Sequence, residues 1–160
     1  MPPIISIVGK SESGKTTIIE KLIAELKTRG FRIGVIKHAS HGFDVDREGK
    51  DSWRHKTAGA DTVIVSSPGK IAMVKDEPVD SLNRLENYFQ DMDLVITEGY
   101  KNEKKPKIEI FRSERHSAPH CLTDDTLIAF VSDTPINIDV PIFRPREIEK
   151  LADFIQKKFL

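Results

Sequence analysis

"GKSESGKTT", at residues 9–17, joins two segments of different pattern. Before it, the short apolar run at Ile4–Val8 is typical of a strand that is buried on both faces. After it, the apolar residues of Lys15–Thr28 recur at helical spacing. The stretch matches G-x-x-x-x-G-K-[ST] at each fixed position, in the strand–loop–helix order that this pattern requires. The sequence therefore predicts a P-loop, which binds the phosphates of a nucleotide.

Each part of the predicted P-loop has a chemical role. Two glycines permit tight backbone geometry, so that backbone N–H groups at the helix start converge on the β-phosphate. Lys15 reaches the β- and γ-phosphates and is the first predicted catalytic residue, while the Thr16 hydroxyl binds Mg²⁺. The predicted nucleotide contacts in this loop are Gly9, Lys10, Ser11, Glu12, Ser13, Gly14, Lys15, Thr16 and Thr17.

Lys10 has two interpretations. Its position resembles that of a lysine in P-loop ATPases of the MinD and nitrogenase-iron-protein group, which reaches the partner's nucleotide across a dimer. Those proteins usually have glycines where Ser11 and Glu12 stand here. The alternative is a solvated lysine at the tip of the loop.

Strand-like and helix-like segments alternate along the rest of the chain. Two apolar segments flank Pro68-Gly69 and predict a hairpin, and a helix with one apolar face ends the chain. This alternation predicts one α/β domain over residues 1–160, a three-layer fold of the P-loop NTPase type. Its sheet is mostly parallel, and the hairpin and the strand near Ile108 are expected to add antiparallel pieces. The other predicted strands cover residues 32–37, 94–97, 127–131 and 140–143.

The composition narrows the functional class. Lysine plus arginine and aspartate plus glutamate number 25 each, so no net charge favours nucleic acid or a membrane surface. The single cysteine, Cys121, excludes an intramolecular disulfide and is typical of a reducing compartment. The apolar run at the start of the chain is too short for a signal peptide or a membrane span. We therefore expect a soluble cytoplasmic protein.

A magnesium-binding P-loop also needs a carboxylate. Asp93 and Glu98 stand at opposite ends of one predicted strand, and at the rise of a strand they lie roughly 16 Å apart. Ligands of parallel α/β sheets sit at the carboxyl ends of the strands. This rule selects Glu98 as a metal ligand and catalytic residue, and leaves Asp93 as a residue at the start of the strand.

Three segments together resemble the molybdopterin-guanine dinucleotide biosynthesis protein B family, MobB. They are the P-loop, "KHASHGFDVDREGKDSWRHKTAGAD" at residues 37–61, and "VITEGYK" at residues 95–101 followed by "KIEIFR" at residues 107–112. The resemblance covers nearly the whole chain, and the second segment is its most specific part. It implies a dimeric GTP-binding protein with weak GTPase activity.

The same resemblance implies a role in joining GMP to molybdopterin. The protein would assist a separate partner, the molybdenum cofactor guanylyltransferase MobA, with molybdopterin as a further candidate ligand. Residues 37–54 would then form a cover that orders over the γ-phosphate. Asp44 and Asp46 lie two apart, so an extended chain points both the same way. One of them would reach Mg²⁺, directly or through water, and Asp46 is favoured as a third catalytic residue. The alternative for this polar segment is a solvated loop. The expected contacts to a second, anionic ligand are Lys37, His38, Lys50, Arg54, Lys101 and Arg112.

The choice of base depends mainly on the resemblance. No N-K-x-D segment is present, but Asp133 follows a late predicted strand, where an aspartate could accept hydrogen bonds from guanine. Two other classes remain open. A metal-delivery GTPase would use His38 and His41 or the Pro119-His120-Cys121 segment, although metal sites usually need three or four ligands. A small-molecule P-loop kinase is the other alternative.

Overall fold

The computed structural model describes residues 1–78 and 81–160. The chain forms two compact units, one made of Met1–His38 and Asn83–Leu160 and the other of Ala39–Leu82. The single domain over residues 1–160 stays a prediction. Within the described residues, no helix is both long and apolar enough to cross a membrane. The elements in chain order are β1 (Ile4–Val8), α1 (Lys15–Thr28), β2 (Ile33–Lys37), α2 (Asp51–Thr57), β3 (Thr62–Ser67), β4 (Lys70–Lys75), α3 (Leu82–Leu85), a 3₁₀ helix (Glu86–Phe89), β5 (Leu94–Glu98), β6 (Lys107–Phe111), β7 (Leu127–Ser132), β8 (Ile142–Phe143) and α4 (Ile148–Phe159).

The first unit contains a six-stranded sheet in the order β2-β5-β1-β6-β7-β8. Every neighbouring pair in it is parallel. The expectation that β6 adds an antiparallel piece is therefore wrong. Residues 99–106 carry the chain across β1 and back, so that Lys107 pairs with Ser6 and the strand runs the same way as both its neighbours. The five residues of β6 are all buried, as in the interior of a parallel sheet.

Helical segments cover both faces of this sheet. Helices α1 and α4 pack on one apolar cluster, which Ile33 of β2 also contacts. Gly34 faces the other way along the strand, and there Phe89 of the 3₁₀ helix lies so close that a Cβ on Gly34 would collide with its ring. Burial of each large apolar side chain in such a core contributes about 1.5–3 kcal/mol. The α/β fold predicted from the sequence is confirmed.

The second unit contains α2 and the antiparallel hairpin of β3 and β4. Ser67 pairs with Lys70 around Pro68-Gly69, and Gly69 has a φ of 78°, which favours glycine at this turn. The predicted hairpin is confirmed, and it supplies the antiparallel part of the fold. Several of its apolar side chains are exposed, namely Ile64, Val65, Ile71 and Met73.

Two buried charged residues of β6 hold the segment that follows the strand. The Glu109 carboxylate is fully buried and accepts hydrogen bonds from the backbone N–H groups of His120, at 2.6 Å, and Cys121, at 2.8 Å. The Lys107 ammonium donates to the Thr126 hydroxyl at 2.6 Å and lies 3.0 Å from the Asp124 carboxylate. Buried charges are tolerated when they are paired and hydrogen-bonded in this way. Together they tie residues 120–126 to the sheet.

We expect Glu109→Gln to lower the free energy of unfolding by about 1–2 kcal/mol. The amide keeps one acceptor oxygen but turns its N–H₂ group toward a backbone N–H, which loses its acceptor. Urea unfolding followed by circular dichroism measures the change, with Glu114→Gln on the exposed part of the same segment as the matched control. An equal unfolding free energy in Glu109→Gln and in the parent protein would contradict the role of the carboxylate.

Candidate nucleotide site

The backbone of the loop between β1 and α1 has the geometry of a phosphate cradle. Gly9 has a φ of 146°, and a Cβ there would collide with the Ile110 carbonyl oxygen. Gly14 caps α1 in the left-handed region, with a φ of 91°. Glu12, with a φ of 60°, adopts the left-handed conformation without being glycine. Successive N–H groups in such a turn form an anion-binding concavity at the positive end of the helix.

Lys15 folds back over this loop. Its ammonium donates to the Gly9 carbonyl at 2.9 Å and to the Lys10 carbonyl at 2.7 Å. Burial lowers the pKa of the Lys15 ammonium below its usual value, the Glu98 carboxylate opposes this shift, and the Lys37 charge adds to it. The two carbonyl oxygens hold the Lys15 ammonium above the loop, and a phosphate oxygen can replace them as its hydrogen-bond acceptor.

Glu98 ends β5 beside the start of α1. The Thr16 hydroxyl donates to Glu98 Oε1 at 3.1 Å, and the Lys37 ammonium lies 3.8 Å from Glu98 Oε2. Lys37 is brought there by the parallel register of β2 and β5, in which it pairs with Glu98. A hydroxyl and a carboxylate oxygen are the hard ligands that Mg²⁺ prefers. The strand rule thus selected a carboxylate that contacts the P-loop threonine, while its role as a metal ligand stays a prediction.

Asp93 lies at the other end of the same strand. Its carboxylate accepts a hydrogen bond from the Arg32 backbone N–H at 2.7 Å. It therefore fixes the entry into β2, in agreement with the structural role expected from its position.

Other predicted contacts lie at the carboxyl edge of the sheet. The Arg112 side chain lies 4.0 Å from the point that a Cβ on Gly14 would occupy, so it lies beside the start of α1.

Asp133 follows β7, and its Oδ1 accepts a hydrogen bond from the Ser113 N–H at 3.1 Å. The Arg144 guanidinium donates to the Asp133 carbonyl at 2.5 Å. Lys101 is exposed in the turn after β5.

His38 also lies close to Glu98. Its backbone N–H donates to the Glu98 carbonyl at 3.0 Å, and its ring lies 4.7 Å from the ring of Tyr100, centroid to centroid. The side chain is thus packed on an aromatic neighbour next to the predicted metal ligand.

Three further predicted residues, Asp46, Lys50 and Arg54, belong to the second unit. Asp46 Oδ1 accepts a hydrogen bond from the Arg47 N–H at 2.8 Å, and the Arg54 guanidinium lies 3.8 Å from the Asp51 carboxylate. Lys50 stands at the N-cap of α2 with an extended backbone. The roles of Asp46, Lys50 and Arg54 toward a ligand stay predictions.

Two residues that contact the P-loop, Arg115 and His116, were not predicted from the sequence. His116 Nε2 lies 2.8 Å from the Ser11 carbonyl oxygen, and the Arg115 guanidinium lies 3.7 Å from the Glu12 carboxylate. Ser13 is buried, and within the described residues its hydroxyl has no hydrogen-bond partner. The concentration of lysine and arginine between Lys101 and Arg115 is a sequence signal that could have pointed to this segment.

The surroundings of the residues considered for metal delivery do not favour metal binding. Burial raises the pKa of the Cys121 thiol to about 11, and the Glu109 carboxylate adds to this shift. Because a thiol binds metal as the thiolate, this environment disfavours ligation. Over residues 1–78 and 81–160, no group of three or more histidine, cysteine, aspartate or glutamate side chains is placed to hold a metal ion.

Comparison with known proteins gives a consistent result. The family model of molybdopterin guanine dinucleotide synthesis protein B, MobB, matches residues 4–133. The molybdopterin-guanine dinucleotide biosynthesis adapter protein of Haemophilus influenzae is 41% identical over 96% of this chain and 88% of its own length. The protein of the same name from Escherichia coli is 38% identical over 97% of this chain and 92% of its own length.

Solved structures agree with these relatives. The crystal structure of Bacillus subtilis MobB superposes with a TM-score of 0.81 at 28% identity, covering 99% of this chain and 98% of that one. A second crystal structure, of molybdopterin-guanine biosynthesis protein B, gives a TM-score of 0.74 at 32% identity, covering 96% and 97%. The family model and the high-coverage relatives together show that this chain belongs to the MobB family.

Proposed function

We propose that this protein binds GTP with Mg²⁺ at its P-loop and acts as an adapter in the synthesis of molybdopterin guanine dinucleotide. The observation that carries the nucleotide site is the convergence of Lys15, Thr16, Lys37 and Glu98 at one edge of the sheet. The pathway is supported by the names of the related proteins, which are biosynthesis adapter proteins of this dinucleotide.

In this proposal, each group of the site has a defined task. The N–H groups of the loop and the Lys15 ammonium bind the β- and γ-phosphates. The Thr16 hydroxyl and the Glu98 carboxylate would hold Mg²⁺, directly or through water, and the ion would supply positive charge next to the phosphates. Lys37, 3.8 Å from Glu98, adds positive charge on the side of the γ-phosphate. Slow hydrolysis of GTP is the expected activity.

The proposed partner is the guanylyltransferase MobA, and the proposed assembly of this chain is a homodimer. An adapter of this pathway would bring guanine nucleotide, and molybdopterin as a further ligand, to the transferase. Co-purification of tagged protein with the transferase, with and without GTP, tests this association. If the two proteins elute separately under both conditions, the adapter role is wrong, whereas nucleotide binding is unaffected by that result.

The base preference is tested at Asp133. We expect Asp133→Asn to lower GTP affinity about tenfold, because a carboxylate that accepts from guanine N1 and N2 becomes an amide that donates. Xanthosine triphosphate carries a carbonyl in place of the guanine amino group, so the variant should bind it more tightly than the parent protein does. Isothermal titration with both nucleotides and with ATP measures the preference.

The asparagine retains an acceptor oxygen for the Ser113 N–H, so the loop contact is preserved in the variant. Asp125→Asn, in the turn before β7, is the matched control and should bind GTP like the parent protein. An unchanged ratio of GTP to xanthosine triphosphate affinity in Asp133→Asn would remove this residue from the base site.

A further inference from the structure

The segment that follows β6 contacts the tip of the P-loop at two consecutive residues. His116 Nε2 lies 2.8 Å from the Ser11 carbonyl oxygen, and Arg115 lies 3.7 Å from the Glu12 carboxylate. A carbonyl oxygen can only accept, so Nε2 carries the proton and donates it. The ion pair joins two exposed side chains and contributes little by itself. The histidine contact is therefore the stronger of the two links.

The hydrogen bond from His116 fixes the direction of one peptide group of the cradle. In a planar trans peptide, the carbonyl of one residue and the N–H of the next point to opposite sides. Because the Ser11 carbonyl is turned outward to His116, the Glu12 N–H is turned the other way, as an anion-binding loop requires.

The next residue makes this support necessary. Glu12 has a φ of 60°, a conformation that costs a non-glycine residue roughly 1 kcal/mol and persists when its surroundings fix it. Here the contacts from Arg115 and His116 hold the residue from outside the loop.

Hydrogen bonds hold the chain on both sides of His116. Arg115 and His116 are turned back on Arg112, whose carbonyl accepts from both of their N–H groups, at 3.1 and 3.0 Å. Beyond them, Glu109 holds the backbone of His120 and Cys121. The segment is therefore tied to the sheet on either side of His116, which makes its position a fixed one.

We infer that His116 is a positioning residue of the nucleotide site, which holds the Ser11–Glu12 peptide group in the orientation that binds phosphate. This inference rests on the proposed nucleotide binding at the P-loop. His116 acts through the loop backbone and not on the nucleotide itself. A donor at this point, rather than an imidazole ring, is what the loop needs.

The test compares three variants by isothermal titration calorimetry with GDP and with GTP plus Mg²⁺. His116→Leu removes the donor and should lower the affinity for both nucleotides on the order of fivefold, the usual effect of one hydrogen bond. His116→Gln places an N–H donor at a similar reach and should restore most of the affinity. His120→Gln is the matched control, because His120 contacts Glu109 through its backbone N–H.

Hydrogen exchange supplies a second measurement on the same variants. Amides of residues 10–13 should exchange faster in His116→Leu than in the parent protein and in His116→Gln, while the strands remain unchanged. Equal affinity in His116→Leu and the parent would overturn the inference, and so would equal losses in the leucine and glutamine variants. If the parent protein binds neither nucleotide, the proposed function fails; a parent that binds while all three variants match it refutes only the role of His116.

Discussion

Lys15→Ala should weaken GTP binding by about 2–4 kcal/mol, which corresponds to roughly 30- to 1,000-fold in affinity. The triphosphate would lose a cation that the protein already holds over the loop through the carbonyls of Gly9 and Lys10. Because these hydrogen bonds already hold the Lys15 side chain before the nucleotide enters, binding requires little further ordering of it. Titration calorimetry with a non-hydrolysable GTP analogue and Mg²⁺ gives the affinity of the parent protein and of the variant.

Lys21→Ala is the matched control for this variant. It removes the same charge from the exposed face of the same helix, away from the loop. It should bind the analogue within a factor of about two of the parent protein, as surface substitutions usually do. If Lys15→Ala binds as tightly as Lys21→Ala, the loop is not a phosphate site, and the nucleotide proposal is wrong.

Glu98→Gln should reduce GTP hydrolysis about 10- to 100-fold, the usual loss when a group of a metal site is altered. The amide keeps an oxygen that can accept from the Thr16 hydroxyl, so the contact of 3.1 Å can persist. It no longer carries the negative charge that favours Mg²⁺ and that balances Lys37. Release of phosphate over a range of Mg²⁺ concentrations measures both the rate and the amount of metal that the variant needs.

Asp93→Asn serves as the control at the other end of β5. Its amide oxygen can still accept from the Arg32 N–H, so the strand entry is preserved. Hydrolysis and its Mg²⁺ dependence should match those of the parent protein. Should Glu98→Gln hydrolyse GTP at the parent rate across the whole Mg²⁺ range, the metal assignment is withdrawn, whereas binding of the triphosphate by Lys15 would be unaffected.

Elements with a strong local pattern were predictable from the sequence. Helix α1 covers the predicted residues because its apolar spacing and its glycine cap are both local signals. The hairpin follows from the turn pair Pro68-Gly69 between two β-prone segments. The contact between Thr16 and Glu98 spans 82 positions, yet it was anticipated because parallel sheets collect ligands at one edge.

Features set by tertiary structure were not predictable in this way. The pattern of β6 indicates a buried strand, but its direction depends on the path of residues 99–106 across the sheet. The contact between His116 and Ser11 joins residues 105 positions apart, and a lone histidine in a polar segment has no periodicity. The buried Glu109 also looks like a surface residue in the sequence, because its partners are backbone N–H groups of another segment.

The environment of Cys121 has a practical consequence for experiments on this protein. The chain has one cysteine, and with its pKa raised to about 11 the reactive thiolate fraction at pH 7 is on the order of 10⁻⁴. Burial further limits the access of reagents. A cysteine introduced at an exposed position such as Ser40 would therefore take a maleimide dye or spin label almost exclusively. The native sequence thus provides a background for fluorescence and electron paramagnetic resonance work without prior removal of its own thiol.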